Sequence, residues 1–276
     1  LEKALPAHGE RLEALAARAG SLGDDELVHD LRVALRRTEA LARLCRGLPG
    51  KGDGDAPRAS ARALRRRLSL LRSEEVGRAH LASRAGATDS RLFALVFPGE
   101  LPAVRVDAGE VAAVVRTLAR WRQRLAAARR GAFAPRAATE TDLLRRTRRR
   151  LIRLLRDLAR LLPPDRETLH AARIAAKCVR YALEALEPID PRVRPLLRLL
   201  RSFQDTAGEA HDLAELAARV ASVADAGAEA GLPVGPLARD LEADASRAFS
   251  TARTGGAALA GPVKRLRKSL GAPESR

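Results

Sequence analysis

Apolar residues recur at three- and four-residue steps through almost all of this 276-residue chain, and this spacing constrains the fold more than any other feature. Such a stripe occupies one face of an α-helix. No segment alternates apolar and polar residues long enough to make a strand, so the chain is predicted to be all-α. The spacing predicts helices over 8–19, 24–46, 57–72, 73–86, 110–130, 138–162, 165–187, 191–206, 208–227, 234–253 and 258–270. Between many of them, stretches such as GLPGKGDGDAP, FPGELPAV, GAFAPRA, LPPD, EPIDP and GLPVGP concentrate Gly and Pro, which end helices. Asp24 and Asp165 stand where N-caps belong.

The charge is lopsided. Lys plus Arg number 51 against 34 Asp plus Glu, a formal net charge of +17. Five of the cations are lysines, leaving 46 arginines (51 − 5). An apolar content of 46% is too high for a disordered basic tail, and 3% aromatics is too low for reading unpaired bases by stacking. No apolar run is long enough for a membrane span, and the visible start does not look like a signal peptide. Cytoplasm is the expected address, and an anion the expected partner. Cys45 and Cys178 fall inside helical patterns and suggest neither a disulfide nor a metal site.

The chain also repeats itself. His29-Asp30-Leu31-Arg32-Val33-Ala34-Leu35-Arg36 returns as His170-Ala171-Ala172-Arg173-Ile174-Ala175-Ala176-Lys177, 141 residues on (170 − 29). Leu70-Leu71-Arg72-Ser73 is echoed by Leu199-Leu200-Arg201-Ser202, and Gly77-Arg78-Ala79-His80 by Gly208-Glu209-Ala210-His211. The order is the same both times. A duplication is the simplest account, giving one domain over 1–276 with repeat halves 1–130 and 138–276 joined by a 131–137 linker. Each half then has four or five helices, enough for a small bundle.

At ~100° per residue, His29, Arg32 and Arg36 share one stripe, while Leu27, Val28, Leu31 and Leu35 face a core. His170, Arg173 and Lys177 form the matching stripe, which Arg180 and Tyr181 extend; Leu169, Ala172, Ala176 and Leu183 face inward. On the following helices, Arg58, Arg62, Arg65 and Arg72 share a face, as do Arg194, Arg198 and Arg201. Like charges at this spacing repel and destabilise a helix by a few tenths of a kcal/mol per pair. A solvated face would interleave Glu. Cations gathered without acids are expected where an anion supplies the missing charge. Guanidinium groups suit phosphate because they grip its oxygens bidentately, and Lys, His or the Tyr181 hydroxyl can add a charge or a hydrogen bond.

H-x-x-R-V-x-x-R-R at 29–37 and H-x-x-R-I-x-x-K-x-x-R-Y at 170–181, with Gln204-Asp205 and Gly208…Asp212 downstream, resemble a CHAD domain, the conserved-histidine α-helical domain, over nearly the whole chain. The resemblance implies two four-helix bundles related by a pseudo-twofold repeat, with basic helices meeting across a central groove or cavity. It further implies binding of inorganic polyphosphate, or other phosphate or sulfate oligoanions, and association with polyphosphate granules, without catalysis or cofactor. Carried onto this sequence, the binding positions are His29, Arg32, Arg36 and Arg37, then His170, Arg173, Lys177, Arg180 and Tyr181. Arg65, Arg72, Arg194, Arg198 and Arg201 are expected to extend the site. Glu39 occupies the place matching Arg180, and Cys178 the place matching Arg37, so the halves need not contribute equally. Many relatives carry a fused triphosphate-tunnel enzyme, but no strand with its E-x-E-x-K signature occurs here.

Enzyme signatures are weak. Gly50-Lys51-Gly52 lacks phosphate-loop spacing, and Asp53-Gly54-Asp55 is too sparse for a calcium loop. His211 and Asp212 with Glu209 are expected to be solvated rather than metal-bound, and His80 and His211 to be structural hydrogen-bond partners. Trp121 and Phe203 are expected in the core, and Lys264-Arg265-Leu266-Arg267-Lys268 to be a frayed terminus. The competing function is a helical nucleic-acid-binding protein gripping phosphate backbones, although no helix-turn-helix spacing is present. Polyphosphate has about one charge per phosphate and no base to stack, which matches many arginines and few aromatics.

Overall fold

A computed structural model describes residues 4–18, 25–44, 55–85, 90–99, 108–129, 140–187 and 190–272. They are helical almost throughout, with no strand among them. The helices are α1 (Ala4–Arg18), α2 (Asp25–Leu44), α3 (Asp55–Ala85), α4 (Ser90–Val96), α5 (Ala108–Arg129), α6 (Glu140–Arg160), α7 (Leu169–Leu186), α8 (Arg194–Ala221), α9 (Ala224–Glu229) and α10 (Val234–Gly271). No helix among the described residues is long and apolar enough to cross a membrane. The proposed 131–137 linker and Asp24 lie outside the described residues.

The predicted core faces are the buried ones. Leu27, Leu31 and Leu35 of α2 and Leu169, Ala172, Ala176 and Leu183 of α7 are all buried. Helices α1, α2, α3 and α5 pack in a ring, each against two others; α6, α7, α8 and α10 form another. The rings meet where α2 packs on α7 and α3 on α8. One continuous apolar cluster runs from Leu12 through Leu35, Leu155 and Phe203 to Val263. A second joins Leu81, Val96 and Phe97 to Leu213, Leu216 and Leu241.

Several expected helix breaks lie within continuous helices. The predicted pairs 57–72/73–86 and 234–253/258–270 are instead the single helices α3 and α10, and 191–206/208–227 become a 3-10 turn over Pro191–Val193, the helix α8 ending at Ala221 and the short α9. Two of the glycines inside them, Gly77 and Gly256, serve close approach. A Cβ on Gly256 would stand 2.6 Å from Pro164 Cδ, and one on Gly77 would stand 3.0 Å from the Phe97 ring. Helix α4 has no counterpart in the sequence reading. Helix α7 starts later than expected, at Leu169; Asp165 stands before it and accepts from the Thr168 amide at 2.7 Å and hydroxyl at 2.6 Å. The Lys264–Lys268 segment is not frayed but helical, and the Arg148 guanidinium donates to the carbonyls of Leu270 and Ala272.

Candidate functional site: a cationic cluster between two H-x-x-R helices

Helices α2 and α7 pack together with their apolar faces buried, and residues of their two polar stripes approach each other at this junction. His29, Arg32, Arg36 and Arg37 come from α2, and His170, Arg173, Lys177, Arg180 and Tyr181 from α7. Across the junction, Arg37 Nε donates to Glu184 Oε2 of α7 at 3.1 Å. Arg36 of α2 comes near enough to push on the Lys177 charge. The two stripes therefore converge.

Lys177 lies at the centre of the cluster. Burial, and then the charges of Arg173, Arg36 and Arg180, push its ammonium down to about 7, against a weak opposing pull from Asp212. Among the described residues, none hydrogen-bonds or forms an ion pair with Arg36, Arg173 or Lys177. The Nε of Arg173 is buried without a hydrogen-bond partner among them. Cations in this state are costly unless an anion joins them.

Helix α8 completes one wall. Gln204, Gly208, His211 and Asp212 share a face by helical spacing. A Cβ on Gly208 would stand 3.9 Å from Arg173 Nε, so this glycine lies against the Arg173 side chain. The His170 and His211 rings stand 4.9 Å apart between centroids. Desolvation, then the nearby His211, Arg173 and Lys177, lowers the His170 pKa, so its ring favours the neutral form. The Gln204 side chain is buried, with neither amide atom hydrogen-bonded among the described residues. His211 Nε2 lies 3.4 Å from Glu215 Oε1, and donor atoms of His211, Asp212 and Glu215 all fall within 4.8 Å of one another. Glu215, not Glu209, thus joins the nominal metal-binding group, one turn along from His211.

Other expected binding residues have internal partners. Glu184, only 10% exposed, collects Arg37, Arg180 Nε at 3.6 Å and Arg201 Nη2 at 3.3 Å. Arg180 also donates to the Tyr181 hydroxyl at 2.9 Å and lies over that ring. Tyr181 is itself buried, so it positions Arg180. Arg65 donates to Glu39 at 2.5 Å, and Arg194 to Glu187 at 3.2 Å. His29 and Arg198 are exposed, and Arg32 is half-buried. The Arg72 side chain lies outside the described residues. The stripes therefore do contain acids, contrary to the expectation of cations without them. Glu184 was open to detection, since it follows Arg180 at i+4, the spacing of a helical ion pair. The meeting of His211 with His170 had no such local signal.

A model of the CHAD domain family matches residues 6–221. A crystal structure of the CHAD domain from the plant Ricinus communis is similar in fold, with a TM-score of 0.51 and 21% identity over 99% of this chain and 92% of that one. No curated protein sequence matches.

Proposed function

The chain belongs to the CHAD family, one associated with polyphosphate and triphosphate binding, and we propose that it binds inorganic polyphosphate at the α2–α7 junction without catalysing a reaction. The observation that carries this reading is the group formed by Arg36, Arg173 and Lys177, partly buried cations from two helices with no carboxylate bound to them among the described residues. Inserting a phosphate chain would return Lys177 to its charged form and give Arg173 Nε an acceptor. Glu184 and Tyr181 hold Arg37 and Arg180 at the rim, where a competing polyanion can draw them over. The arrangement is that of a site for a linear anion.

We read the two helical rings as copies of one four-helix unit facing each other about a pseudo-twofold axis through the α2–α7 contact. Phosphate or sulfate oligomers of similar charge density should compete. Association with cytoplasmic polyphosphate granules follows from the same affinity.

Competition tests the proposal. Long-chain polyphosphate should displace duplex DNA or RNA at far lower phosphate concentration, and Arg32→Ala with Arg173→Ala should weaken binding more than Arg116→Ala with Arg120→Ala on the exposed side of α5. The opposite ranking of competitors would make the protein a nucleic-acid binder. Equal losses in the two double variants would mean diffuse adsorption.

A further inference from the structure

Helices α6 and α10 lie antiparallel, since Arg148 of α6 reaches the carbonyls of Leu270 and Ala272 while Leu162, just beyond α6, and Pro164 lie against Gly256. Leu151, Leu155 and Leu158 turn one face of α6 inward. Arg149, Arg153, Arg156 and Arg160 occupy the opposite face and are exposed. On α10, Leu259 and Val263 are buried while Lys264 and Lys268 are exposed. The only carboxylate between 145 and 160 is Asp157, held by Arg156 at 3.2 Å, and residues 245–272 contain none. Like charges this close destabilise both helices unless screened or neutralised.

The position of this face matters as much as its charge. In the ring α6–α7–α8–α10, α7 and α8 carry the cationic site and pack on α2 and α3, while α6 only touches α2 and α10 packs on α6 and α8, so the outer face of the α6–α10 pair is separate from that site. Arg149 to Arg160 spans roughly 16 Å of helix. A duplex is stiff and would meet this short surface along one strand, whereas a flexible phosphate chain can follow both basic rows. The face has the charge and shape for a single flexible polyanion, the same ligand class as the α2–α7 site.

We propose that the α6–α10 face is a second polyphosphate-binding surface, which makes the molecule bivalent and able to join two phosphate chains. This rests on the proposed polyphosphate binding at the α2–α7 junction. Calorimetric titration of the full chain with a short polyphosphate oligomer, too short to reach both faces, should give two chains per protein. Arg149→Glu, Arg153→Glu, Lys264→Glu and Lys268→Glu together should reduce this to one chain while leaving the tighter site within about twofold. Light scattering with long-chain polyphosphate should fall to near background in the same variant, because a monovalent molecule cannot bridge. All four side chains are exposed, and a Gln version of the set, checked by circular dichroism, controls for folding. One short chain per wild-type molecule, lost in Arg36→Ala/Arg173→Ala, would overturn the second surface and leave the first standing. One chain lost only in the α6–α10 variant would overturn the α2–α7 site instead, and with it bivalence. Duplex DNA outcompeting polyphosphate on this face would overturn the assigned occupant.

Discussion

The Arg37 guanidinium of α2 and the Glu184 carboxylate of α7 meet at 3.1 Å, joining the two H-x-x-R helices by an ion pair next to cations that have no carboxylate of their own among the described residues. Glu184 thus acts as an internal anion at the rim of the site. It restrains Arg37, Arg180 and Arg201, and under the proposed function it should compete with an external phosphate for them.

Glu184→Gln should separate these effects. Stability should fall by about 1–3 kcal/mol, less than for a fully buried pair because the arginines can reach water. Polyphosphate affinity should hold or rise severalfold. Denaturant unfolding and calorimetry check both, and a loss of affinity as large as that of Arg173→Ala would show that Glu184 supports the site only by holding its shape.

If the chain binds polyphosphate as proposed, Lys177 should make that binding pH-dependent. Its ammonium is held at about 7, well below the ordinary 10.5, and a bound polyanion should raise it, so binding should take up a proton and affinity should fall as pH rises from about 7 towards 10. Stability runs the other way. The unfolded chain holds that proton up to about 10.5, so unfolding takes up a proton across this window and stability from this group rises with pH. Lys177→Arg, charged throughout, should flatten the affinity profile above pH 7. Lys177→Met should raise the thermal midpoint by a few degrees while weakening binding. An unchanged profile in Lys177→Arg would assign the pH dependence elsewhere.

Salt should act strongly on binding. If about six cations contact the chain, log K should fall with log salt at a slope of roughly −4, the behaviour of a single-stranded polyanion. Titrations from low to high potassium chloride measure it. A flat response would mean that the anion is not held by charge.

Gly256→Ala should separate fold from function. Its Cβ would fall 2.6 Å from Pro164 Cδ, forcing α10 away from the turn after α6. A cost of about 1–3 kcal/mol is expected, with affinity at the α2–α7 site unchanged. A neutral stability effect would show that this turn yields easily.

What could be read from the sequence was local and periodic. The inward faces of α2 and α7 follow from helical spacing alone, because a buried stripe has only one way to face a core. The convergence of Arg36 with Lys177 could be anticipated from the repeated H-x-x-R helices and the family resemblance, since two copies of one unit tend to meet through equivalent faces. Glycine is ambiguous in sequence. Helices α8 and α10 run through Gly208 and Gly256, and at Gly256 the close approach of Pro164 leaves no room for a side chain, which outweighs the penalty from helix propensity. The counter-ions are hidden in the sequence for another reason. The Arg65–Glu39 and Arg37–Glu184 pairs join residues distant in sequence, so only packing shows which arginines are already engaged. Composition could show an excess of cations but not which of them are uncommitted.

The central claim is that cations from both H-x-x-R helices act on one bound chain. A double-mutant cycle on Arg36→Ala and Arg173→Ala, with affinity for a short polyphosphate measured by calorimetry, tests it most directly. A shared site predicts that the two losses depend on each other, with an interaction energy of about 1 kcal/mol or more. Losses that add to within about 0.3–0.5 kcal/mol would place the two arginines on independent surfaces and contradict the account.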